Sequence, residues 1–162
     1  MSKFHTYKTK VYYEDTDAGG IVYYARYLHF IERARTEMIY DYLQLSHAQL
    51  KENHKAIFVV RECNVKYHKS ANFEDKLEVR TYVMKKSPVR LNLKQEVVRD
   101  NETLVTAEVE LAVIDSNGSI SKLHEKLLEK QRFSLFWDEK YWNSKVFQMI
   151  FGKMYALVEV LD

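Results

Sequence analysis

At 162 residues, with 46% hydrophobic, 14% aromatic and 30% charged residues, the chain has the length and composition of one folded domain and not of a disordered segment. Its 25 Lys and Arg stand against 23 Asp and Glu, a balance that argues against a dedicated nucleic-acid binder. The lone Cys63 excludes an internal disulfide and a thiolate zinc site, and its place in a strand-like run predicts a buried structural thiol.

Met1 to Lys10 lacks the apolar stretch of a signal peptide, and no run approaches the ~18 apolar residues of a membrane span, so a cytoplasmic protein is expected. Phe4 to Tyr13 is rich in Thr, Tyr and Val with partial alternation, the mark of a half-buried strand. From about Val22 to Leu43 there is neither Gly nor Pro, and Tyr23, Tyr27, Phe30, Ile31, Ala34, Met38 and Tyr42 recur at helical spacing. Arg26, His29, Arg33 and Glu37 fall on another face of that helix. Ser46 followed by Gln49 reads as a capping box opening a short helix from about His47 to Asn53.

The periodicity then changes to two. Ile57 to Tyr67 is one strand candidate; Leu77 to Val83, Val89 to Val97 and Val105 to Val113 alternate apolar with polar residues. Short links at Lys85 to Pro88, at Asp100-Asn101-Glu102 and after the last strand at Ser116 to Ser119 imply an antiparallel meander, because parallel pairing needs long crossovers. A strand, a long helix and four strands are most simply arranged as one sheet wrapped around one helix. Leu123, Leu127 and Leu128 return to a helical pattern. After Phe133 come Phe136, Trp137, Tyr141 and Trp142, then Phe147, Ile150, Phe151, Met154, Leu157 and Leu161 at helical spacing. The division expected is a domain at 1–132 and an apolar helical extension at 133–162. That extension packs on the domain, seals an oligomer interface or lies on a membrane surface.

The chemistry concentrates at residues 13–27. Glu14, Asp15 and Asp17 precede Gly19 and Gly20, two of only 4 glycines, at the mouth of the long helix. Glycines allow a tight turn and close approach of a ligand to the main chain, and a helix N-terminus offers unpaired N–H groups and a positive pole to an oxyanion. Glu14 and Asp15 read as turn and helix-dipole acids. No His stands at ligand spacing beside the three carboxylates, so no metal site is expected. A thioester carbonyl needs little beyond this: its leaving thiolate requires scant protonation, and one carboxylate plus one oxyanion donor suffice.

The run Tyr-Glu-Asp-Thr-Asp-Ala-Gly-Gly-Ile-Val-Tyr-Tyr at 13–24, followed by Tyr27, by Glu-Arg-Ala-Arg-Thr-Glu at 32–37 and by Phe-Val-Val-Arg at 58–61, closely resembles the hotdog-fold acyl-CoA thioesterases. Within them it is similar to the YbgC type associated with the bacterial Tol-Pal system, a branch of the 4-hydroxybenzoyl-CoA thioesterase family. The resemblance runs to about Leu127 and implies an α+β hotdog fold, a long helix wrapped by a five-stranded antiparallel sheet. The C-terminal helical extension lies beyond it.

The resemblance also implies roles. Asp17 is the catalytic carboxylate, acting as nucleophile or as general base; the backbone N–H of Tyr24 polarises the thioester carbonyl; Gly19 and Gly20 open the approach. YbgC-type members commonly carry His where this chain has Tyr24, which excludes an essential imidazole there and leaves a main-chain donor undisturbed. Tyr23 and Tyr27 are core and interface aromatics that flank the substrate. Val59 and Arg61, on the strand, line a partner's site. Lys85 and Lys86 match the position of basic residues near the coenzyme A nucleotide, with Arg90 and Lys122 as further candidates for its phosphates. The substrate is then an acyl-CoA, no cofactor is needed beyond its own CoA, and the assembly is a homodimer or homotetramer. An association of the tail with the inner membrane, and a non-catalytic module binding acyl-CoA or acyl carrier protein in the envelope machinery, are the alternatives.

Overall fold

The computed structural model describes residues 4–123. The expected 133–162 extension, and the helical pattern after Leu123, lie outside the described residues. β1 (His5–Lys10) leads to a single 3-10 turn at Tyr13–Asp15 and then to the Gly-Gly loop. Two helices follow, α1 (Arg26–Leu43) and α2 (His47–His54). Four strands complete the order: β2 (Ile57–Tyr67), β3 (Lys76–Lys86), β4 (Arg90–Arg99) and β5 (Glu102–Ile114).

α1 starts later than the periodicity predicts. Val22 is held in a β-bridge with Thr16, and its N–H donates to the Ala71 carbonyl at 2.9 Å, so it cannot take helical geometry. Tyr23 and Tyr24 are spent on a turn closed by the Arg26 N–H on the Tyr23 carbonyl at 2.8 Å, and Ala25 is the N-cap. At the other end Gln44 takes a left-handed conformation (φ 57) and its N–H donates to the Tyr40 carbonyl at 2.7 Å, stopping the helix. The capping box of α2 forms as read: the Gln49 N–H donates to Ser46 Oγ at 3.1 Å, and the Ser46 N–H to Gln49 Oε1 at 2.8 Å.

The five strands form one antiparallel sheet in the order β1-β3-β4-β5-β2. β3, β4 and β5 are the expected meander, and Asp100 and Asn101 (φ 48 and 65) make its tight two-residue hairpin. β2 departs from a simple meander: it pairs with β5 and ends the sheet, with residues 68–75 carrying the chain back across to β3. Lys85 and Lys86, expected in a turn, are the last residues of β3, and Lys86 pairs with Leu91.

α1 buries Tyr27, Phe30, Ile31, Ala34, Met38, Ile39 and Leu43 against the sheet face made by Leu77, Val79, Val83, Leu91, Leu93, Val97, Ala107, Val109 and Leu111. Each large side chain so enclosed contributes about 1.5–3 kcal/mol. Two polar residues interrupt that face. Thr81 and Gln95 are opposite each other in the β3–β4 register, and Gln95 Nε2 donates to Thr81 Oγ1 at 3.0 Å and to the Ile31 carbonyl at 2.8 Å, pinning the middle of α1 to the sheet. α1 covers the edge strand only in part: Tyr27 packs against Tyr67, and Phe58 and Val65 are partly buried, but much of the strand stays in solvent. Cys63, expected to be buried, is therefore exposed, and Val60 and Tyr67 on the same side of β2 each keep 47% of their surface in solvent.

Candidate active site

Asp17 sits at the corner of a tight loop. Its N–H donates to the Ile21 carbonyl at 3.0 Å, its carbonyl accepts from the Gly20 N–H at 3.0 Å, and its Oδ1 accepts from the Gly19 N–H at 2.8 Å. This is the geometry that Asp adopts in turns, and the carboxylate is exposed. The two glycines serve it differently. Gly20 takes φ +76, which side chains rarely adopt; a Cβ on Gly19 would stand 3.1 Å from Asp17 Oδ1. One glycine shapes the turn and the other leaves room for the carboxylate.

Beyond the loop the chain passes through Tyr23 and Tyr24 into α1. The Tyr23 N–H donates to the Asp15 carbonyl at 2.9 Å. The N–H groups of Tyr24 and Ala25 donate to no acceptor among the described residues, which leaves an unpaired pair of donors at the positive end of α1. The Tyr24 ring is 60% exposed, 4.7 Å from the Tyr23 ring and 6.2 Å from that of Tyr67 on β2. A side-chain hydrogen bond with Tyr24 chiefly pushes the Tyr23 phenol above its ordinary range, with the Asp17 charge a smaller contribution. The Asp17 carboxylate and the Tyr23 phenol thus lie within electrostatic reach of each other.

Asp15 is not the simple turn acid that the sequence suggests. It is 2% exposed. Its Oδ1 accepts from Arg26 Nε at 2.9 Å and lies 2.7 Å from Arg26 Nη2, while Oδ2 accepts from the Tyr12 N–H at 2.9 Å. Glu14 adds a second, exposed carboxylate 3.2 Å from Arg26 Nη2. In sequence Asp15 reads as a turn and helix-dipole acid, and Arg26 has no role at the site. A signal was present nonetheless: a cation in the first turn of a helix opposes the dipole unless an acid neutralises it.

Tyr27 lies in the core, its hydroxyl accepting from the Ala71 N–H at 2.8 Å and its ring edge-on to Phe30 and Tyr67. The other candidates stand elsewhere. Val59 and Arg90 both pair with Ala112 near the end of β5; the Leu123 N–H, beside Lys122, donates to the Pro88 carbonyl; Lys85 and Lys86 end β3. Arg61 Nη1 lies 2.8 Å from Glu110 Oε1, to which Arg90 also points at 3.4 Å. The Asp17 loop, by contrast, is bridged to Asn72, ahead of the first residue of β3. β3 runs the length between, Lys76–Lys86, roughly 33 Å at 3.3 Å per residue. Within one chain the sequence candidates therefore divide between opposite ends of the sheet. Among the described residues no three His, Cys, Asp or Glu side chains come together to hold a metal ion, and no helix is long and apolar enough to cross a membrane.

The family model of the thioesterase-like superfamily matches residues 11–147, a span that takes in the Asp17 loop, α1 and the sheet from β2 to β5. The chain belongs to that superfamily. Its hotdog architecture is that of the structural neighbours. A probable thioesterase from Bartonella henselae superposes with a TM-score of 0.71 at 32% identity, covering 75% of this chain and 99% of that one. A Staphylococcus aureus protein solved in complex with CoA has a TM-score of 0.74 over 87% of this chain and 93% of its own, but at 17% identity it speaks for the fold alone. In sequence, the acyl-CoA thioesterase YbgC of Haemophilus influenzae is 40% identical over 110 residues, 68% of this chain and 80% of that protein. The YbgC of Helicobacter pylori is 37% identical over 90 residues, 56% of this chain and 64% of its own. The superfamily and the YbgC likeness agree with the resemblance carried by residues 13–37.

Proposed function

We propose that this member of the thioesterase-like superfamily hydrolyses acyl-CoA to a free acid and coenzyme A, with Asp17 as the reacting carboxylate and the Tyr24 N–H as oxyanion donor. The observation that supports the reading is the pair of unengaged N–H groups at the start of α1, seven and eight residues after a carboxylate whose neighbouring glycine leaves it room. The acyl-CoA thioesterases among its relatives support the substrate class.

In the general-base route Asp17 removes a proton from water as the oxygen adds to the thioester carbon, and the negative charge on the carbonyl oxygen is met by the Tyr24 N–H and the helix dipole. The C–S bond then breaks and the coenzyme A thiolate leaves, recovering the proton from Asp17. In the nucleophilic route Asp17 adds directly, the thiolate leaves, and water hydrolyses the resulting mixed anhydride. Both use the same two groups, and a lost oxyanion donor is worth roughly 3 kcal/mol in either.

The basic candidates are read as acting across a subunit boundary. β2 is an edge strand with exposed Val60, Cys63 and Tyr67, a face suited to antiparallel pairing with a second copy. Because antiparallel pairing about the strand centre reverses its direction, Val59 of one copy comes opposite Val65, near the Tyr67 end of the other beside Tyr24, while Arg61 stays opposite Cys63 close to the middle of the seam. Lys85, Lys86, Arg90 and Lys122 would then serve the phosphates of the partner's substrate. Activity in this reading requires a homodimer at least, located in the cytoplasm.

Purified full-length protein assayed against a panel of acyl-CoAs with a thiol reagent is expected to release coenzyme A. A Val60→Asp variant is expected to shift toward monomer in light scattering and to lose turnover in parallel. Monomers with undiminished activity would contradict the shared site.

A further inference from the structure

We infer that Asp15 and Arg26 form a positioning clamp that fixes the Tyr24 N–H against the Asp17 carboxylate; the inference rests on the assignment of those two groups as the reacting pair. Asp15 is bonded at every acceptor it has. Its carbonyl takes the Tyr23 N–H at 2.9 Å, one residue before the open donor, and its carboxylate takes Tyr12 N–H on one oxygen and the Arg26 guanidinium on the other. Two residues further on in the same loop stands Asp17. One buried residue thereby grips both the segment that carries the reacting carboxylate and the first turn of the helix that carries the oxyanion pole.

Three features favour positioning over a generic stabilising ion pair. Arg26 is the first residue of α1, where a cation is the wrong sign for the helix dipole, so the helix alone gives no reason for it. The guanidinium engages Asp15 through both Nε and Nη2 at 2.9 and 2.7 Å, a contact with directional demand that a point charge does not have. The pair also braces the residue that assigns the donors: the Asp15 carbonyl consumes the Tyr23 N–H and leaves those of Tyr24 and Ala25 unengaged. Without the ion pair the loop and the helix start are joined by the backbone bonds of the Thr16–Val22 bridge, of which the Tyr23 N–H on the Asp15 carbonyl is one, and by those of the turn. A displacement of about 1 Å between a reacting group and its partner costs on the order of 100-fold in rate.

The test compares Arg26→Gln, Arg26→Lys and Asp15→Asn in the full chain, using an acyl-CoA that the wild type turns over. Arg26→Gln is expected to lower kcat by about 10- to 100-fold while KM stays within about threefold, and Arg26→Lys, which keeps the charge but not the fork, to recover part of the loss. Hydrogen exchange at the Tyr23 amide, protected by Asp15 in the wild type, is expected to rise at least about tenfold in Arg26→Gln and Asp15→Asn. A kcat within twofold of wild type in folded Arg26→Gln, or kcat and KM changing together with no recovery by Lys, would overturn the clamp. Should Arg26→Gln fail to fold, Arg26→Lys carries the same comparison. Full activity in Asp17→Asn would instead defeat the catalytic assignment, and then unchanged Tyr23 exchange in Arg26→Gln would still decide against the clamp.

Discussion

Asp15 and Asp17 stand two positions apart and their carboxylates live in opposite surroundings, one enclosed and bonded at both oxygens, the other exposed with a single bond from the Gly19 N–H. That single bond makes Gly19 sensitive. Gly19→Ala would set a methyl 3.1 Å from Asp17 Oδ1, so the carboxylate must give by a few tenths of an ångström. Turnover is expected to fall by about 10-fold or more in Gly19→Ala with circular dichroism unchanged; wild-type turnover would show that the carboxylate orientation does not matter. The motif from Tyr13 to Tyr24 was legible because its glycines and acids are adjacent in sequence. The burial of Asp15 was not, since it depends on Arg26 reaching back across the whole loop to meet it.

At the scale of elements, α1 is tied to the rest of the fold at points that helical periodicity does not display. Tyr27 is the clearest: its hydroxyl satisfies the Ala71 N–H ahead of β3, and Ala71 in turn takes the Val22 N–H on its carbonyl. Tyr27→Phe removes that acceptor and leaves a buried N–H unpaired, so stability to urea is expected to fall by about 1–3 kcal/mol; a midpoint equal to that of the wild type would show that the N–H finds another partner. β3, β4 and β5 were readable from alternation because each turns one face inward, and the bounds of β2 agree to the residue although its burial does not alternate. Its position was not readable. Alternation says nothing about which strand lies beside which, and β2 skips β3 to pair with β5. Cys63 was misplaced for the same reason: an inward-facing residue is buried only if the helix extends over its strand.

For the whole molecule, one alkaline transition is written into the outer face of the sheet. Burial, followed by the neighbouring Glu96 carboxylate and the hydrogen bond to it at 3.1 Å, pushes the Tyr82 phenol up to about 12. An unfolded tyrosine ionises near ~10. The folded state therefore holds the proton more tightly, and the stability this gives is complete below ~10 and is lost as pH rises through about 12. Difference absorbance in Tyr82→Phe is expected to lack one phenolate titrating at the top of the range, and the fall of its thermal midpoint between those two pH values to be shallower than in wild type. Identical curves would show that Tyr82 ionises freely.

The division of candidate residues between the two ends of the sheet is also a property of the molecule and not of the sequence. Lys85, Lys86, Arg90 and Lys122 were gathered by their chemistry, whereas the length of β3 separates them from Asp17 in one chain. The central claim, that Asp17 reacts with the thioester held at the start of α1, is tested most directly by Asp17→Asn, which keeps the shape of the side chain and its acceptor toward Gly19 while removing its charge. Steady-state hydrolysis of the best acyl-CoA of the panel is expected to fall by at least about 100-fold, with binding of the substrate retained. Turnover by Asp17→Asn equal to that of the wild type would contradict it.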